Sequence, residues 1–484
     1  MQQLTGLDAN FLYLETGPNY AHVCGVALLD PATAAQPLAF ERVRALVAGR
    51  LHLLPPLRRR LVEVPFGIDR PYWADDPHFD LDFHVRELAL PAPGSPLQLA
   101  EQVGRISSRP LDRGRPLWEL YLISGLEQER VALMVKFHHA ALDGVAGQEL
   151  ITTLLDQSPE PPPVAAPAER PVAPLPGELE MWVRGVAGVT LQPLRALEFQ
   201  RRMIRTLPGA ARFLARSTGP GLLPWARGTT TGDGGVLSRP PLLAPRTSFN
   251  RPITPQRRWV YGSAPLSQVK LAKTAFGVTV NDVVMAACAG GLRRWLQDHG
   301  ELPDSPLLAM VPISVRTQEQ RGTFGNRVSA LIAALPTHLE DPVARLRAVH
   351  EAMRGAKEQH AAIGAETLQD VTQFAMPALA TRAARLAAQM RLAEYVSPPY
   401  NLVISNVPGP RTPLYFAGAQ MLGYYPVSVV TDGQGLNVTV QSYLDNLDFG
   451  LVADRELVPD LWDLLRHLVD AVDELADAAR EHGG

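Results

Sequence analysis

Short apolar runs of strand length alternate with amphipathic helical segments in both halves of the chain. In the first half, "HVCGVALLD" (22–30) is typical of a strand, and "LQLAEQVGRISS" of an amphipathic helix. The segment "LAFERVRALVAGRL" has a helical face that carries Phe40, Val43, Leu46, Val47 and Leu51. "WELYLISGL" and "VALMVKFHH" predict a strand pair around a turn at Glu127–Glu129. The alternation predicts an α/β fold.

A Pro- and Ala-rich stretch, "SPEPPPVAAPAERPVAPLPG" (158–177), separates the two halves. Its composition offers no pattern that could pack, so it is predicted to be a semi-rigid linker. We therefore predict an N-terminal lobe over residues 1–157, a linker and crossover over 158–244, and a C-terminal lobe over 245–484.

The second half repeats the alternation. "GVTVNDVVMAACAGGLRRWLQDHG" predicts a helix with Thr279 as its N-cap and Asp282 three positions later, the spacing of a capping box. The predicted strands are "LLAMVPISV", "RVSALIAAL", "NLVISNV", "VSVVT", "LNVTVQSYL" and "LDFGLVAD". "PDLWDLLRHLVDAVDELADAA" predicts an amphipathic helix at the C-terminal end.

A basic segment follows the linker. Residues 181–227 contain eight arginines and one acid, Glu198, together with Trp182 and Trp225. This pattern resembles a helix that lies in a membrane interface. A crossover helix that packs its apolar side on the protein would have the same pattern, so both interpretations remain open.

The charge balance and the cysteines limit the class of protein. Lys and Arg number 46 against 49 Asp and Glu, a net charge of -3, which gives no support to a nucleic-acid binder. Cys24 and Cys288 lie in apolar runs and indicate two buried thiols, in keeping with a reducing compartment. No run approaches the ~18 apolar residues of a membrane span, and no secretion signal is recognisable. We expect a cytoplasmic protein, soluble or peripherally attached.

Two adjacent histidines end an apolar strand in "LMVKFHHAALDGVAG" (133–147). Strand alternation would place His139 on the face of Val135 and Phe137, and His138 on the opposite face with Lys136. We therefore expect only His139 to reach the apolar interior. A histidine that is neutral near pH 7 can act as a general base on a hydroxyl or a thiol.

The Asp143-Gly144 pair completes a His-His-x-x-x-Asp-Gly pattern. Asp143 could fix the local backbone or pair with an arginine, for which Arg316 is a candidate, and Gly144 would permit a sharp turn into the next helix. Three other interpretations compete: a satisfied core histidine, a plain Asp-Gly turn, and a metal site. No further His or Cys clusters nearby in sequence, so we predict no metal.

The motif "HHAALDG" resembles the active-site motif of the CoA-dependent acyltransferase superfamily. Other stretches resemble the bacterial wax ester synthase/diacylglycerol acyltransferase family: "LTGLDANFLYLET", "RPLWELYLI", "APRTSFN", "VNDVVMAACAGGLR", "VPISVR", "FGNRVS" and "SNVPGP". They occur in the family's order, from residue 4 to about residue 410, so the resemblance covers almost the whole chain.

The resemblance implies a two-lobed, chloramphenicol-acetyltransferase-like fold, with a mixed sheet and helices in each lobe and a tunnel between the lobes. It implies acyl-CoA as co-substrate, no other cofactor, and diacylglycerol or a long-chain alcohol as acceptor. His139 would be the general base, and His138, Asp143 and Gly144 would complete the motif. Such substrates reside in membranes or lipid droplets, so a peripheral site at one of these surfaces is expected.

The secondary motifs carry weaker expectations. Asn281 could donate to an oxyanion or a substrate hydroxyl, whereas Asp282 is better explained by the helix cap. "PLWE" (116–119) is better explained by core packing and a tunnel wall than by chemistry, and "SNVPGP" (405–410) by the backbone geometry of a Pro-Gly turn. The chain has no G-x-S-x-G elbow, so direct transfer is expected. Two alternatives stay open: a condensation-type acyltransferase that uses carrier-bound acyl groups, and a non-catalytic lipid-binding protein.

Overall fold

The computed structural model describes residues 1–15, 17–142, 150–160, 173–188, 190, 244–314, 328–363, 386 and 390–483. The helices are α1 (Gly6–Leu14), α2 (Phe40–Arg50), α3 (Leu81–His84), α4 (Pro96–Ser107), α5 (Leu266–Phe276), α6 (Val280–Asp298), α7 (Pro342–Ile363) and α8 (Leu461–Gly483). Residues 150–154 and 178–188 are also helical.

The structure has fifteen strands in its described residues. They are β1 (Gln2–Gln3), β2 (His22–Asp30), β3 (Arg59–Val62), β4 (Tyr72–Asp75), β5 (Val85–Ala89), β6 (Trp118–Ser124), β7 (Val131–His138), β8 (Arg257–Pro265), β9 (Leu307–Ser314), β10 (Val328–Leu335), β11 (Leu402–Val407), β12 (Tyr415–Phe416), β13 (Ala419–Val427), β14 (Leu436–Tyr443) and β15 (Asn446–Asp454). The α/β prediction is confirmed.

The first large sheet has the order β12-β13-β2-β7-β6-β5. Strand β7 pairs antiparallel with both β2 and β6, and β5 pairs parallel with β6. The predicted strand pair around Glu127–Glu129 is therefore confirmed as β6 and β7. Strand β7 lies at the centre of this sheet, which gives its C-terminal end backbone support from both sides.

The second large sheet has the order β10-β9-β11-β14-β15-β8 and is also mixed. Helices α5, α6, α7 and α8 pack over it and contribute to a large apolar core. Helix α6 begins with the predicted capping box. Thr279 Oγ1 accepts a hydrogen bond from the Asp282 amide, and the Asp282 carboxylate accepts one from the Thr279 amide. A smaller three-stranded sheet has the order β1-β4-β3.

Strand β13 comes from the C-terminal half but pairs antiparallel with β2 in the first sheet. It also packs across β15 of the second sheet. Gly450 of β15 permits this close approach, because a Cβ atom there would lie 1.8 Å from the Pro426 carbonyl oxygen. The two sheets are thus joined by a strand exchanged between the halves. The three-segment division of the chain stays a prediction.

The prediction of a strand over "VSVVT" (427–431) is wrong. The strand is Ala419–Val427, and residues 428–430 lie outside any strand. The chain leaves the sheet because it turns between Thr431 and Gln434, where Gly433 adopts a φ of 80°.

A second close approach joins the lobes at α4. A Cβ atom on Gly104 would lie 2.9 Å from the Arg257 carbonyl oxygen at the start of β8. Helix α4 and one face of β2 and β7 share an apolar cluster with Trp259 and Val452 of the second sheet. A separate apolar cluster that includes α2 covers the other face of the first sheet. Both faces of this sheet are therefore buried.

Both cysteine thiols are buried and free, as predicted. Burial raises the pKa of the Cys24 thiol and of the Cys288 thiol to about 12, so both are protonated at neutral pH. For Trp118 of the "PLWE" stretch, the expected packing role is confirmed, because the side chain is buried and its Nε1 donates to the Leu57 carbonyl oxygen at 2.7 Å.

Only the start of the basic segment 181–227 falls within the described residues. Met181 is buried, whereas Trp182 is 44 % exposed and Val183 is 54 % exposed. The choice between an interfacial and a crossover helix lies outside the described residues for the rest of the segment. In the part of the chain that is described, no single helix has the length and apolar character to cross a membrane, while α5 and α6, bent by 106°, pass that test only as a pair.

Candidate active site

Strand β7 ends at His138, and His139 begins the turn that follows. The His138 amide donates to the Leu117 carbonyl oxygen at 3.0 Å, and the His139 amide donates to the Ala21 carbonyl oxygen at 2.7 Å. The backbone of both histidines is therefore fixed from the β6 side and the β2 side. Asp143, Gly144 and Arg316 lie outside the described residues.

The His138 imidazole is almost completely buried, at 1 % exposure. Its Nδ1 accepts a hydrogen bond from the Ala140 amide at 3.0 Å, so a neutral ring carries its proton on Nε2. That Nε2 lies 3.5 Å from Oε1 of Glu15, a polar contact longer than an ordinary hydrogen bond. Both ring nitrogens of His138 thus face protein groups.

The prediction that only His139 reaches the interior is wrong. His138 is the more deeply buried of the two, while His139 is half-buried. Alternation correctly placed His138 on the face of Lys136, but that face is covered by α4 and by side chains of the second sheet. A strand with both faces buried gives no polar face for the second imidazole to occupy.

Glu15 is the acid beside His138. Arg113 donates from Nη2 to Glu15 Oε2 at 2.7 Å, and the Ala21 amide donates to Oε1 at 3.3 Å. Burial by itself would raise the pKa of this carboxyl, but His138 and Arg113 outweigh burial and hold it at about 2. Glu15 is therefore ionised at neutral pH and presents negative charge to His138.

The His139 imidazole stacks on the ring of Phe11, with centroids 4.1 Å apart and planes 13° apart. Phe11 belongs to α1, which begins with a capping box between Thr5 and Asp8. Glu15 is the residue at the C-terminal end of the same helix. One short helix therefore supplies a contact to each of the two imidazoles. Both residues belong to the motif "LTGLDANFLYLET", whose sequence alone predicts no role for Phe11 or Glu15.

Two further buried polar side chains, His22 and Lys136, lie next to the histidines on strands β2 and β7. His22 is opposite His138 in the β2–β7 register, and its Nε2 lies 2.5 Å from the Ser107 carbonyl oxygen. Lys136 Nζ donates to the Ile106 carbonyl oxygen at 3.0 Å and to that of Arg109 at 2.5 Å. Burial lowers the pKa of His22 well below its ordinary range and also lowers the pKa of Lys136. His22 is therefore neutral.

The motif residues of the second lobe lie on α6 and β11. Asn281 is in the first turn of α6, and its Oδ1 lies 3.5 Å from Nδ2 of Asn406 in the "SNVPGP" stretch. Asp282 is committed to the cap and also lies 2.8 Å from His350 Nδ1. Its structural role is confirmed. Within the described residues, no three His, Cys, Asp or Glu side chains form a group that could hold a metal ion.

Comparison with known families accounts for nearly the whole chain. Residues 4–284 match the wax ester synthase/diacylglycerol acyltransferase catalytic domain, and residues 324–476 match the C-terminal domain of the same family. The chain belongs to the wax ester synthase/diacylglycerol acyltransferase family. It is therefore an acyltransferase, and the resemblance read from the ordered motifs is confirmed.

Members of the wax ester synthase/diacylglycerol acyltransferase family match over at least nine tenths of their length. A Mycobacterium tuberculosis protein named "putative diacylglycerol O-acyltransferase" is 36% identical over 482 residues, 99% of this chain and 91% of the relative. Another, named "probable diacylglycerol O-acyltransferase tgs2", is 36% identical over 97% of this chain and 98% of the relative. The solved wax ester synthase/diacylglycerol acyltransferase from Marinobacter aquaeolei VT8 is 28% identical, with a TM-score of 0.66 and coverage of 99% and 100%.

More distant structures share the fold alone. The first condensation domain of the CDA synthetase is 18% identical, with a TM-score of 0.54 over 99% of this chain and 97% of that one. The two-lobed fold predicted from the resemblance is confirmed by these likenesses and by the two joined sheets.

Proposed function

We propose that this acyltransferase moves a long-chain acyl group from acyl-CoA to the hydroxyl of diacylglycerol or of a long-chain fatty alcohol, with His139 as general base. The observation that carries the proposal is the half-buried His139 imidazole, stacked on Phe11 at the end of the central buried strand. This ring is held in a fixed orientation and keeps part of its surface open.

The reaction needs no covalent acyl-enzyme. A ring nitrogen of His139 takes the proton of the acceptor hydroxyl while its oxygen attacks the thioester carbonyl carbon. The resulting tetrahedral oxyanion collapses, the carbon–sulfur bond breaks, and protonated His139 returns the proton to the CoA thiolate. The products are the ester and free CoA. A tunnel between the lobes would bring the acceptor and acyl-CoA to His139 from opposite sides.

His138 is a positioning residue in this mechanism. Its Nδ1 accepts the Ala140 amide and its Nε2 faces ionised Glu15, so neither nitrogen is turned to an incoming hydroxyl. Asp143 and Gly144 would complete the turn that holds His139. Asn281 uses Oδ1 toward Asn406, which leaves Nδ2 to donate to the oxyanion or to the acceptor.

Attachment to a membrane or lipid-droplet surface is part of the proposal. Helical residues 178–188 carry the exposed apolar side chains Leu179, Trp182 and Val183, while Arg184 pairs with Glu180. Exposed Trp and apolar side chains on a surface helix are typical of interfacial anchors. We therefore place the protein in the cytoplasm, bound peripherally to the surface that holds its lipid acceptor.

The test is release of free CoA thiol from palmitoyl-CoA with diacylglycerol, with hexadecanol and without acceptor. His139→Ala should lower acceptor-dependent release by about 10² to 10⁴ times, the usual contribution of a general base. His78→Ala, which removes an exposed histidine from a surface turn, is the matched control and should retain full activity.

Three results would count against the proposal. Full activity in His139→Ala would remove this residue as the base. No release with any acceptor, but transfer from a carrier-bound acyl group, would favour the condensation-type alternative. No transfer from either donor would favour a non-catalytic lipid-binding protein.

A further inference from the structure

A cavity of about 400 Å³ lies where the two lobes meet, away from the histidines. Its walls come from α4 and the residues after it, from the start of β8, and from the segment between β15 and α8. Five arginines line it: Arg105, Arg109, Arg257, Arg258 and Arg455. Glu101 is the one acid among the lining residues, so the cavity has a strong positive charge.

Four of these arginines carry uncommitted guanidinium groups. Arg257 is used by the fold, since it donates to the Thr254 carbonyl oxygen at 2.5 Å and to that of Pro18. Within the described chain, the side chains of the other four make no hydrogen bond or ion pair, and the buried Nε of Arg258 has no acceptor. Arg466 and Arg480 of α8, by contrast, pair with Asp463 and Asp477. Unpaired guanidinium groups gathered in one cavity favour an anionic ligand.

The cavity also offers an aromatic surface. Trp462, at the start of α8, is half-buried and lies in the cavity wall with the arginines. Indole rings provide faces on which planar bases stack, and arginine forks bind phosphate oxygens in a bidentate manner. A phosphorylated nucleotide combines both kinds of group. A cavity of this volume lies within the ordinary range for small-molecule sites, roughly 300–1,000 Å³.

The inner wall of the cavity is in contact with the catalytic strand. The Arg109 carbonyl oxygen accepts a hydrogen bond from Lys136, and the Ser107 carbonyl oxygen contacts His22, the strand partner of His138. Lys136 precedes His138 by two residues, about 7 Å along the strand. One residue of the cavity wall, Arg109, therefore packs directly against the strand that ends at His138.

We propose that this cavity binds the phosphate groups of the nucleotide portion of acyl-CoA, a 3′-phosphate and a 5′-diphosphate, while the pantetheine arm extends toward His139. The proposal rests on the proposed function. Arginines from both lobes take part, so a bound nucleotide would also bridge α4 to the β15–α8 segment. An anionic phospholipid head group offers the same phosphate chemistry, and the experiment must separate the two sources.

The test compares Arg105→Gln/Arg455→Gln with wild type. The variant removes one exposed arginine from each wall, neither of which has a protein partner among the described residues. The KM for palmitoyl-CoA should rise about tenfold for each arginine, with kcat unchanged, because each charged hydrogen bond to phosphate is lost in ground state and transition state alike. The KM for palmitoyl-pantetheine, which lacks the nucleotide, should not change.

Two further measurements separate the sources. Calorimetric affinity for adenosine 3′,5′-bisphosphate should fall by the same factor in the variant. Binding to phosphatidylcholine vesicles containing phosphatidylglycerol should not change. The matched control is Arg466→Gln/Arg480→Gln, which removes two exposed arginines from α8 outside the cavity and should leave all values at wild-type level.

Distinct outcomes identify which idea fails. An unchanged KM for palmitoyl-CoA, or an equal rise with palmitoyl-pantetheine, overturns the cavity assignment even if the enzyme is active. Loss of vesicle binding with unchanged nucleotide affinity assigns the cavity to a lipid head group and also overturns it. Arginine-dependent binding of the bisphosphate by a protein that acylates no acceptor leaves the cavity assignment standing and removes the proposed function.

Discussion

The ring of Phe11 lies parallel to the imidazole of His139, with 4.1 Å between the centroids. The two residues are far apart in sequence, and α1 brings one to the other. Stacking restricts rotation of the imidazole about its side-chain bonds, which keeps the ring in one orientation. Helix α1 therefore helps to position the imidazole that we propose as the general base.

Replacing Phe11 should weaken catalysis without abolishing it. Phe11→Leu keeps an apolar side chain but removes the stacked ring, a contact between aromatic groups that contributes about 0.5–1.5 kcal/mol. We expect kcat to fall about two- to tenfold, with little change in KM for palmitoyl-CoA. Steady-state kinetics with the better acceptor measure this. Phe66→Leu, at a residue that is 83 % exposed, is the control. A rise in KM alone would mean that Phe11 contacts substrate instead.

Glu15→Gln should reduce stability in a pH-dependent way. The pKa of Glu15 is lowered to about 2 in the folded protein, so its contribution is present above the unfolded pKa and is lost as pH falls toward 2. This pKa shift of Glu15 corresponds to about 3 kcal/mol of folding free energy at neutral pH. The wild-type advantage in free energy of unfolding should be constant above about pH 5.5 and shrink between about pH 4.5 and pH 2. Urea unfolding of both proteins across this range measures it. An advantage independent of pH would show that the charge of Glu15 is not responsible.

Asp448 should have the opposite pH dependence. Its carboxyl is buried between the sheets, where it accepts hydrogen bonds from the Ser263 hydroxyl at 2.6 Å and from the Tyr424 amide at 2.9 Å. Burial raises its pKa to about 6 despite these donors. A raised pKa means that the stabilising contribution is present below the unfolded pKa and is lost as pH rises through the folded value.

The measurement compares wild type with Asp448→Asn, which cannot titrate. The free energy of unfolding of wild type minus that of the variant should fall by up to about 3 kcal/mol between pH 4 and pH 8. Chemical denaturation at several pH values gives this difference. A difference that does not vary with pH would mean that Asp448 ionises as an ordinary surface carboxyl does.

Local patterns in the sequence were enough for much of the fold. Strand β2, the β6–β7 pair and the α6 capping box follow from periodicity and from cap residues a few positions apart, which interact within one element. The motif order was enough for the family, and it directed attention to His138 and His139. These features are local because neighbouring residues along the chain produce them.

Only the tertiary structure decided which distant segments meet. The pairing of β13 with β2, the burial of His138, the contacts from Phe11 and Glu15, and the gathering of arginines at the lobe junction all join residues far apart in sequence. Whether a residue is buried depends on which segments pack against each face of its strand. The alternation of residues within one strand does not say which segments those are. The sequence therefore determined the elements and the chemistry-bearing motif, and packing between the lobes determined which side chains surround it.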